Sequence, residues 1–376
     1  WMWSGVGGGG AWGGGGGGGS GIGDGGGGTS GSAIASSAPA SIDVPGAPGS
    51  IVFKVLLRDN SVKTVVAPAR TTTAALSRAV AHKLRLPEEH AALYSLFVHS
   101  TQLQDEDRPA DVVAAWAASS SEPVRLVYQR AQFLPSDTEP RAWKSLPTSC
   151  SVNERLLYME ARTGVVEGRY TLKEAQSVLT LVVLAIVAEF GSLSEPPPDL
   201  RSVVARFVPK AWLKRDPLPV WVDRVSRDFA GLVEAALAGA LAVAPSSSVT
   251  KSLAAAGAGE ISAAASHAFL QHCRRMPVYG GRYFGPVDAS TVKEFPPAVL
   301  IVVRHDGVLI LKDDDHSVVA SWPFSLRNAL SFASAPKSLT VTSSASHARS
   351  EWRFKTKDAF MIHSYINQIQ KHAQAK

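Results

Sequence analysis

The 376 residues carry 38 Lys and Arg against 32 Asp and Glu, a formal charge of +6, with 45% apolar and 19% charged side chains. That balance can bury cores in two or three compact units, and it falls short of the strongly basic character of a dedicated nucleic-acid binder. Two cysteines, Cys150 and Cys273, exclude a disulfide-stapled secreted scaffold and point to a reducing compartment.

Residues 1–49 are low complexity, with glycine at 18 of positions 5–28. Such a tract pays a high backbone entropy to order and has no side chains to pack, so it reads as a flexible linker. No strand precedes it and no helix follows it, which excludes a phosphate-binding loop. The opening WMWSGVGGGG has neither the charged start nor the apolar core of a signal peptide. A chain starting at Trp1 reads as a fragment of something longer. Order is expected from Ser50: strands over 51–57 and 62–69 around the turn RDNS, then a helix over 71–86 with Ala75, Leu76, Val80 and Leu84 at helical spacing. Strand character returns at 91–100 and 123–133, with a short helix or turn at 108–116 between them. Strand-strand-helix-strand-strand is the order of a ubiquitin-like roll, expected over 50–133.

A Pro/Ser-rich connector spans 134–149, and 150–276 reads as helical. A first helix over 153–170 stops near Gly164 or Gly168. A second over 171–191 starts with a capping box, Thr171 and Glu174, and ends at Gly191. Its apolar run, 178–188, is shorter than the ~20 residues a bilayer requires and reads as a buried helix. Residues 196–219 are Pro-bounded and basic, 220–244 form another helix, 245–261 are small-residue filler, and 262–276 form the last helix. His267, His272 and Cys273 near the end of that helix read as a partly buried helix end, and no metal is expected there.

After Pro277 the pattern reverts to strands, at 298–306, 307–313, 318–324, 328–333, 338–343 and 351–356, with a terminal helix over 357–373. That helix carries an apolar stripe of Ile362, Ile366 and Ile369. The layout, over 277–376, is that of a pleckstrin-homology or phosphotyrosine-binding-type sandwich closed by one helix. The acidic string KDDDHSVV (312–319) falls at a hairpin tip and reads as a solvated turn. No nucleophile, base and acid assemble, so no catalysis and no cofactor are expected.

These three units in order resemble a FERM domain over about 50–376. The strings LLYMEARTGVVEGRY, EAQSVLTLVVLAIVAEFG, RFVPKAWL and FLQHCRRMPVYGGRYF carry the likeness in the second lobe, and SWPFSLRNALSFASAPKSLTV is similar to the talin and unconventional-myosin form of the third. The resemblance implies an α+β cloverleaf: a ubiquitin-like roll, an acyl-CoA-binding-protein-like helical bundle, and a pleckstrin/phosphotyrosine-binding-like sandwich with a C-terminal helix. On that reading RMPVYGGRYFG (275–285) is a seam between lobes: Pro277 stops the helix, Gly280 and Gly281 allow a reversal and a close approach, and Tyr279, Tyr283 and Phe284 fill the crevice. Phe332 and Ser331 stand where talin carries Trp and Arg, and 244–262 is longer than the usual loop, so talin's integrin-tail site does not carry over intact.

The implied activity is recognition by the cargo- or membrane-binding end of a cytoskeletal protein, placed in the cytoplasm, at the cytoskeleton or the inner face of the plasma membrane. The alternative is the targeting part of a larger FERM-containing phosphatase, kinase or kinesin. Cytoplasmic peptide tails are the expected partners, with the cytoskeleton reached through the parent protein. The expected peptide site is the sheet edge at Asn328, Leu330 and Phe332 with Ile362 and Ile366 of the helix. The expected anionic-phospholipid site is Arg206, Lys210, Lys214 and Arg215, within a stretch (201–227) holding seven cations and two acids.

Overall fold

The computed structural model describes residues 49–59, 61–98, 101–119, 123–131, 151–241, 257–326, 330–344 and 350–374. The glycine-rich tract, the 134–149 connector and Asn328 lie outside them. Three apolar clusters mark three lobes, the central one reaching Leu300, Val302, Leu309 and Leu311 of the third lobe and the first reaching Leu156 of the second.

The first lobe pairs β1 (Ser50–Leu56) with β2 (Val62–Pro68) and adds β3 (Tyr94–Val98), β4 (Thr101–Gln102) and β5 (Leu126–Arg130), in sheet order β2-β1-β5-β3-β4. Strand β1 runs parallel to β5. Helix α1 (Thr73–Leu84) starts at Thr72, whose hydroxyl accepts from the Ala75 N–H at 3.4 Å, and buries Leu76 and Val80. A short helix α2 (Glu88–Ala91), its start fixed by Pro87, precedes β3, which lies within the strand expected at 91–100. Helix α3 (Pro109–Ser119) crosses to the last strand.

In the second lobe α4 (Val152–Val166) begins with a complete capping box, Ser151 and Glu154. Helix α5 (Ala175–Phe190) lies at the centre, with every residue from Leu181 to Ala188 buried, which is why its pattern shows no polar stripe. The capping box expected at Thr171 and Glu174 is not formed. Glu174 is itself the N-cap residue, and Thr171 Oγ1 instead lies 3.1 Å from His316 Nδ1 in the third lobe. Helices α6 (Leu200–Phe207) and α7 (Lys210–Arg215) follow. The single helix expected over 220–244 is two, α8 (Leu218–Arg227) and α9 (Phe229–Leu241). They break at Asp228, whose carboxylate accepts from the Gly231 N–H at 3.1 Å. Helix α10 (Ala258–Arg274) begins four residues earlier than expected, its alanines packing Ala264, Ala265 and Ala268 closely against the lobe core.

Among the described residues the third lobe's sheet has seven strands, and the first of them, β6 (Arg282–Asp288), which the sequence pattern does not place, begins inside the seam string. It is followed by β7 (Ala298–Val303), β8 (Gly307–Lys312), β9 (Val318–Pro323), β10 (Leu330–Ala335), β11 (Ser338–Ser343) and β12 (Ser350–Lys355), ordered β10-β11-β12-β6-β7-β8-β9. β12 and β6 pair only at Lys355 and Asp288, so the sheet turns a corner there into two packed halves. Helix α11 (Ala359–Gln374) fills the open side with Ile362, Tyr365, Ile366 and Ile369.

Candidate functional site

The seam is a dense junction. Helix α10 ends at Arg274, and Pro277 bars its continuation. Gly280 takes φ +71°, and the Gly281 N–H donates to the Val278 carbonyl at 3.1 Å. The Tyr279 ring packs on Tyr170 at 6.0 Å, and the Tyr283 hydroxyl donates to the Arg169 carbonyl. These two tyrosines join the second and third lobes as expected. Phe284 does not: as a β6 residue it turns into the third-lobe core, 6.4 Å from Tyr365.

Charged groups complete the junction. Glu160 on α4 accepts from Arg58 Nε of the first lobe at 2.9 Å and lies 3.6 Å from Arg169 Nη1. Burial works against the charge on Arg169, yet Glu160 and Glu167 beside it hold its pKa above the ordinary arginine value. Between the first and third lobes, the Arg282 guanidinium sits over the rings of Tyr365 (4.9 Å), Phe284 (5.4 Å) and Phe97 (5.5 Å), and its Nη1 donates to Gln102 Oε1 at 3.2 Å. The Tyr365 hydroxyl donates to the Ala131 carbonyl at 2.8 Å. Burial pushes that hydroxyl up to about 12, so it stays a neutral donor.

The sheet edge expected to take a peptide is β10, which among the described residues has β11 as its one strand neighbour. Its side chains alternate: Leu330 is buried, Phe332 and Ser334 are half-buried, and Ser331, Ala333 and Ala335 are exposed. Ser334 Oγ lies 2.9 Å from His363 Nδ1, and the Thr356 N–H donates to the Lys337 carbonyl at 3.0 Å. Together these contacts run β10 antiparallel along α11. Phe324 meets Phe332 edge-on at 6.5 Å. Two of the expected residues are misassigned: Ile362 and Ile366 are 0% exposed, so they anchor the helix from beneath and cannot meet a ligand. The accessible wall is the neighbouring face of α11, where Phe360, His363 and Asn367 fall at helical spacing and Phe360 is 56% exposed. That face was readable from the sequence as the one turned away from the Ile362–Ile369 stripe.

In the basic stretch, Arg206 donates to Glu189 at 2.6 Å, Arg224 pairs with Asp216 at 3.0 Å, and Arg227 pairs with Asp223. Lys210, Lys214 and Arg215 are exposed on α7 and form no ion pair among the described residues. Arg215 stacks on Trp212 at 4.8 Å, which props its guanidinium at the surface. Among the described residues no group of His, Cys, Asp and Glu could hold a metal ion, and no helix is long and apolar enough to cross a membrane. The acidic string at 312–319 forms the β8–β9 turn, with Asp315 accepting from the Ser317 N–H at 2.8 Å.

Three family models match in succession: an RA-like domain over 49–133, a FERM central domain over 145–284 and a PTB domain of the IRS-1 type over 287–372. A roll, a helical bundle and a phosphotyrosine-binding-like sandwich in this order make the chain a FERM domain. Among solved structures it is similar to a MyTH4-FERM domain of Dictyostelium discoideum myosin VII (TM-score 0.59, 15% identity, covering 85% of this chain and 58% of that one). It is equally similar to the C-terminal MyTH4-FERM domain of human myosin 7b in complex with the harmonin-a PDZ3 domain (0.59, 14%, 86% and 60%). A complex of the FERM and C-terminal domains of Drosophila Merlin also matches (0.57, 14%, 86% and 98%). The chain thus spans about three-fifths of the myosin structures' length. No curated protein matches it.

Proposed function

We propose that this FERM domain is a recognition module, without catalysis of its own, that takes an extended peptide along β10. The observation that carries this reading is the open β10 edge lying beside the Phe360–His363–Asn367 face of α11. A strand added there gains main-chain hydrogen bonds, and its alternate side chains reach Phe332 and the helix wall. Protein partners of the similar structures, a PDZ domain for human myosin 7b and a C-terminal domain for Drosophila Merlin, favour the same reading. The lobes are taken as 50–133, 150–276 and 277–376. The parent is read as a cytoskeletal protein of the myosin-tail kind, acting in the cytoplasm or at the inner face of the plasma membrane on the cytoplasmic tails of its cargo.

Peptides selected from a random display library on the intact chain test this. Phe332→Ala should weaken the selected peptides about 30-fold, the effect of ~2 kcal/mol at an aromatic anchor. His363→Ala should weaken them less. Undiminished binding by both variants, with unchanged melting, would place the ligand elsewhere.

The three unpaired cations of α7 favour a second contact, with anionic lipid. Lys214→Glu with Arg215→Glu is expected to reduce sedimentation with phosphatidylserine vesicles and to flatten its salt dependence, while Arg206→Glu, which breaks a pair with Glu189, should have less effect on lipid. Equal sedimentation by the double variant and the parent chain would leave α7 as a solvated surface.

A further inference from the structure

We propose that the peptide taken by this groove carries an acidic flank, which lies against a lysine corner at one end of β10; the proposal rests on the groove reading above. Lys337 sits in the β10–β11 turn, and Lys357 sits in the turn before α11. The Thr356 N–H donates to the Lys337 carbonyl at 3.0 Å, and Ser338 pairs with Lys355 across the β11–β12 ladder. Two segments distant in sequence, 337–338 and 355–357, therefore bring Lys337, Lys355 and Lys357 to one exposed corner.

Two acids are near. Asp288 lies 3.6 Å from Lys355 and engages it. Asp358 is half-buried, and its backbone N–H donates to Thr356 Oγ1. Lys337 and Lys357 form no ion pair among the described residues. Phe360 projects into solvent one turn after Lys357, and Pro336 is exposed beside Lys337.

A strand that adds to β10 and continues past Ala335 passes the β10–β11 turn that carries Lys337, with Lys357 joined to that turn through the Thr356–Lys337 hydrogen bond. Its side chains there meet two unneutralised ammonium groups and the face of Phe360. Carboxylates satisfy both cations, whereas further cations would be repelled, so the corner discriminates by charge at the end of a groove whose middle reads shape. The pairing is exposed to water and is therefore screened by salt.

The test uses peptides from the same display selection. Peptides whose binding depends on Phe332 should be enriched in Asp or Glu at one flank. One such peptide is compared with its Glu→Gln and Asp→Gln counterpart, on the parent chain and on Lys337→Glu/Lys357→Glu. Charge reversal at two exposed lysines should leave melting unchanged. It should weaken the acidic peptide about tenfold at low salt, leave the Gln peptide within about twofold, and abolish the salt dependence of the acidic one. No acidic enrichment, or equal effects on both peptides, overturns the proposal while leaving the groove intact. Loss of phosphatidylserine-vesicle sedimentation by this variant, with both peptides unaffected, also overturns it and assigns the corner to a membrane surface. If no selected peptide depends on Phe332, the groove reading fails first and this proposal with it.

Discussion

Gly281→Val should lower the melting temperature of the whole chain by about 6 °C or more, corresponding to ~3 kcal/mol. A Cβ built at Gly281 would lie 2.3 Å from Val302 Cγ1 and 3.0 Å from the Val278 carbonyl oxygen. Neither neighbour can yield easily. Val302 is a β-branched side chain in the middle of β7, 0% exposed, and the Val278 oxygen already accepts the Gly281 N–H. The clash therefore pushes β6 away from β7, or the seam away from the third lobe. Because Tyr279 and Tyr283 on the same short string hold the second lobe, the disturbance should reach both lobes. Calorimetry of the variant, against Gly259→Val as a control at a position whose added Cβ meets nothing within 4 Å, measures this. Identical melting of Gly281→Val and the parent chain would falsify the seam account.

Glu160→Ala should destabilise by about 2–3 kcal/mol, below the 3–5 kcal/mol of a fully buried pair, because Arg58 and Arg169 keep 28% and 25% of their side chains exposed. The cause is the orphaning of two cations rather than the loss of one attraction. Glu160 is 7% exposed and is the carboxylate that Arg58 and Arg169 share at the meeting of the lobes. Arg58→Ala removes a single cation and leaves Glu160 paired with Arg169, so it should cost less. Glu160→Gln keeps the volume and one acceptor and should fall between them. The order of the three melting temperatures is the test. A Glu160→Ala variant no less stable than Arg58→Ala would mean that Glu160 is not the ionic tie between the lobes.

Much of the architecture follows from local pattern. The hairpin of β1 and β2, the N-cap at Thr72, the long buried helix α5 and the Ile stripe of α11 all rest on periodicities of 2 and 3.6 and on residues a few positions apart. The order of the three units is equally a property of the sequence, since the pattern changes at the 134–149 connector and again at Pro277. The errors have a common physical origin. Thr171 and Glu174 have the spacing of a capping box, yet His316, from another lobe, lies within hydrogen-bonding distance of the Thr171 hydroxyl. Strand β6 was hidden because its residues RYFGPVD carry a glycine and a proline, which a bulge between Phe284 and Val287 accommodates only once β7 is beside it.

The candidate site divides along the same line. The sequence alone determined a strand over 328–333 and an amphipathic helix over 357–373, close to the observed Leu330–Ala335 and Ala359–Gln374, because those are statements about neighbours in the chain. It also placed Phe332 on the strand and the apolar stripe on the helix. Which side of that helix stays accessible depends on where the sheet closes over it, and the sheet closes over Ile362 and Ile366. Only the tertiary structure could put Ser334 against His363, Arg58 against Glu160, or Lys337 beside Lys357. Those partners are 20 to 102 positions apart, and no local periodicity encodes a contact that exists only after the chain has folded back on itself.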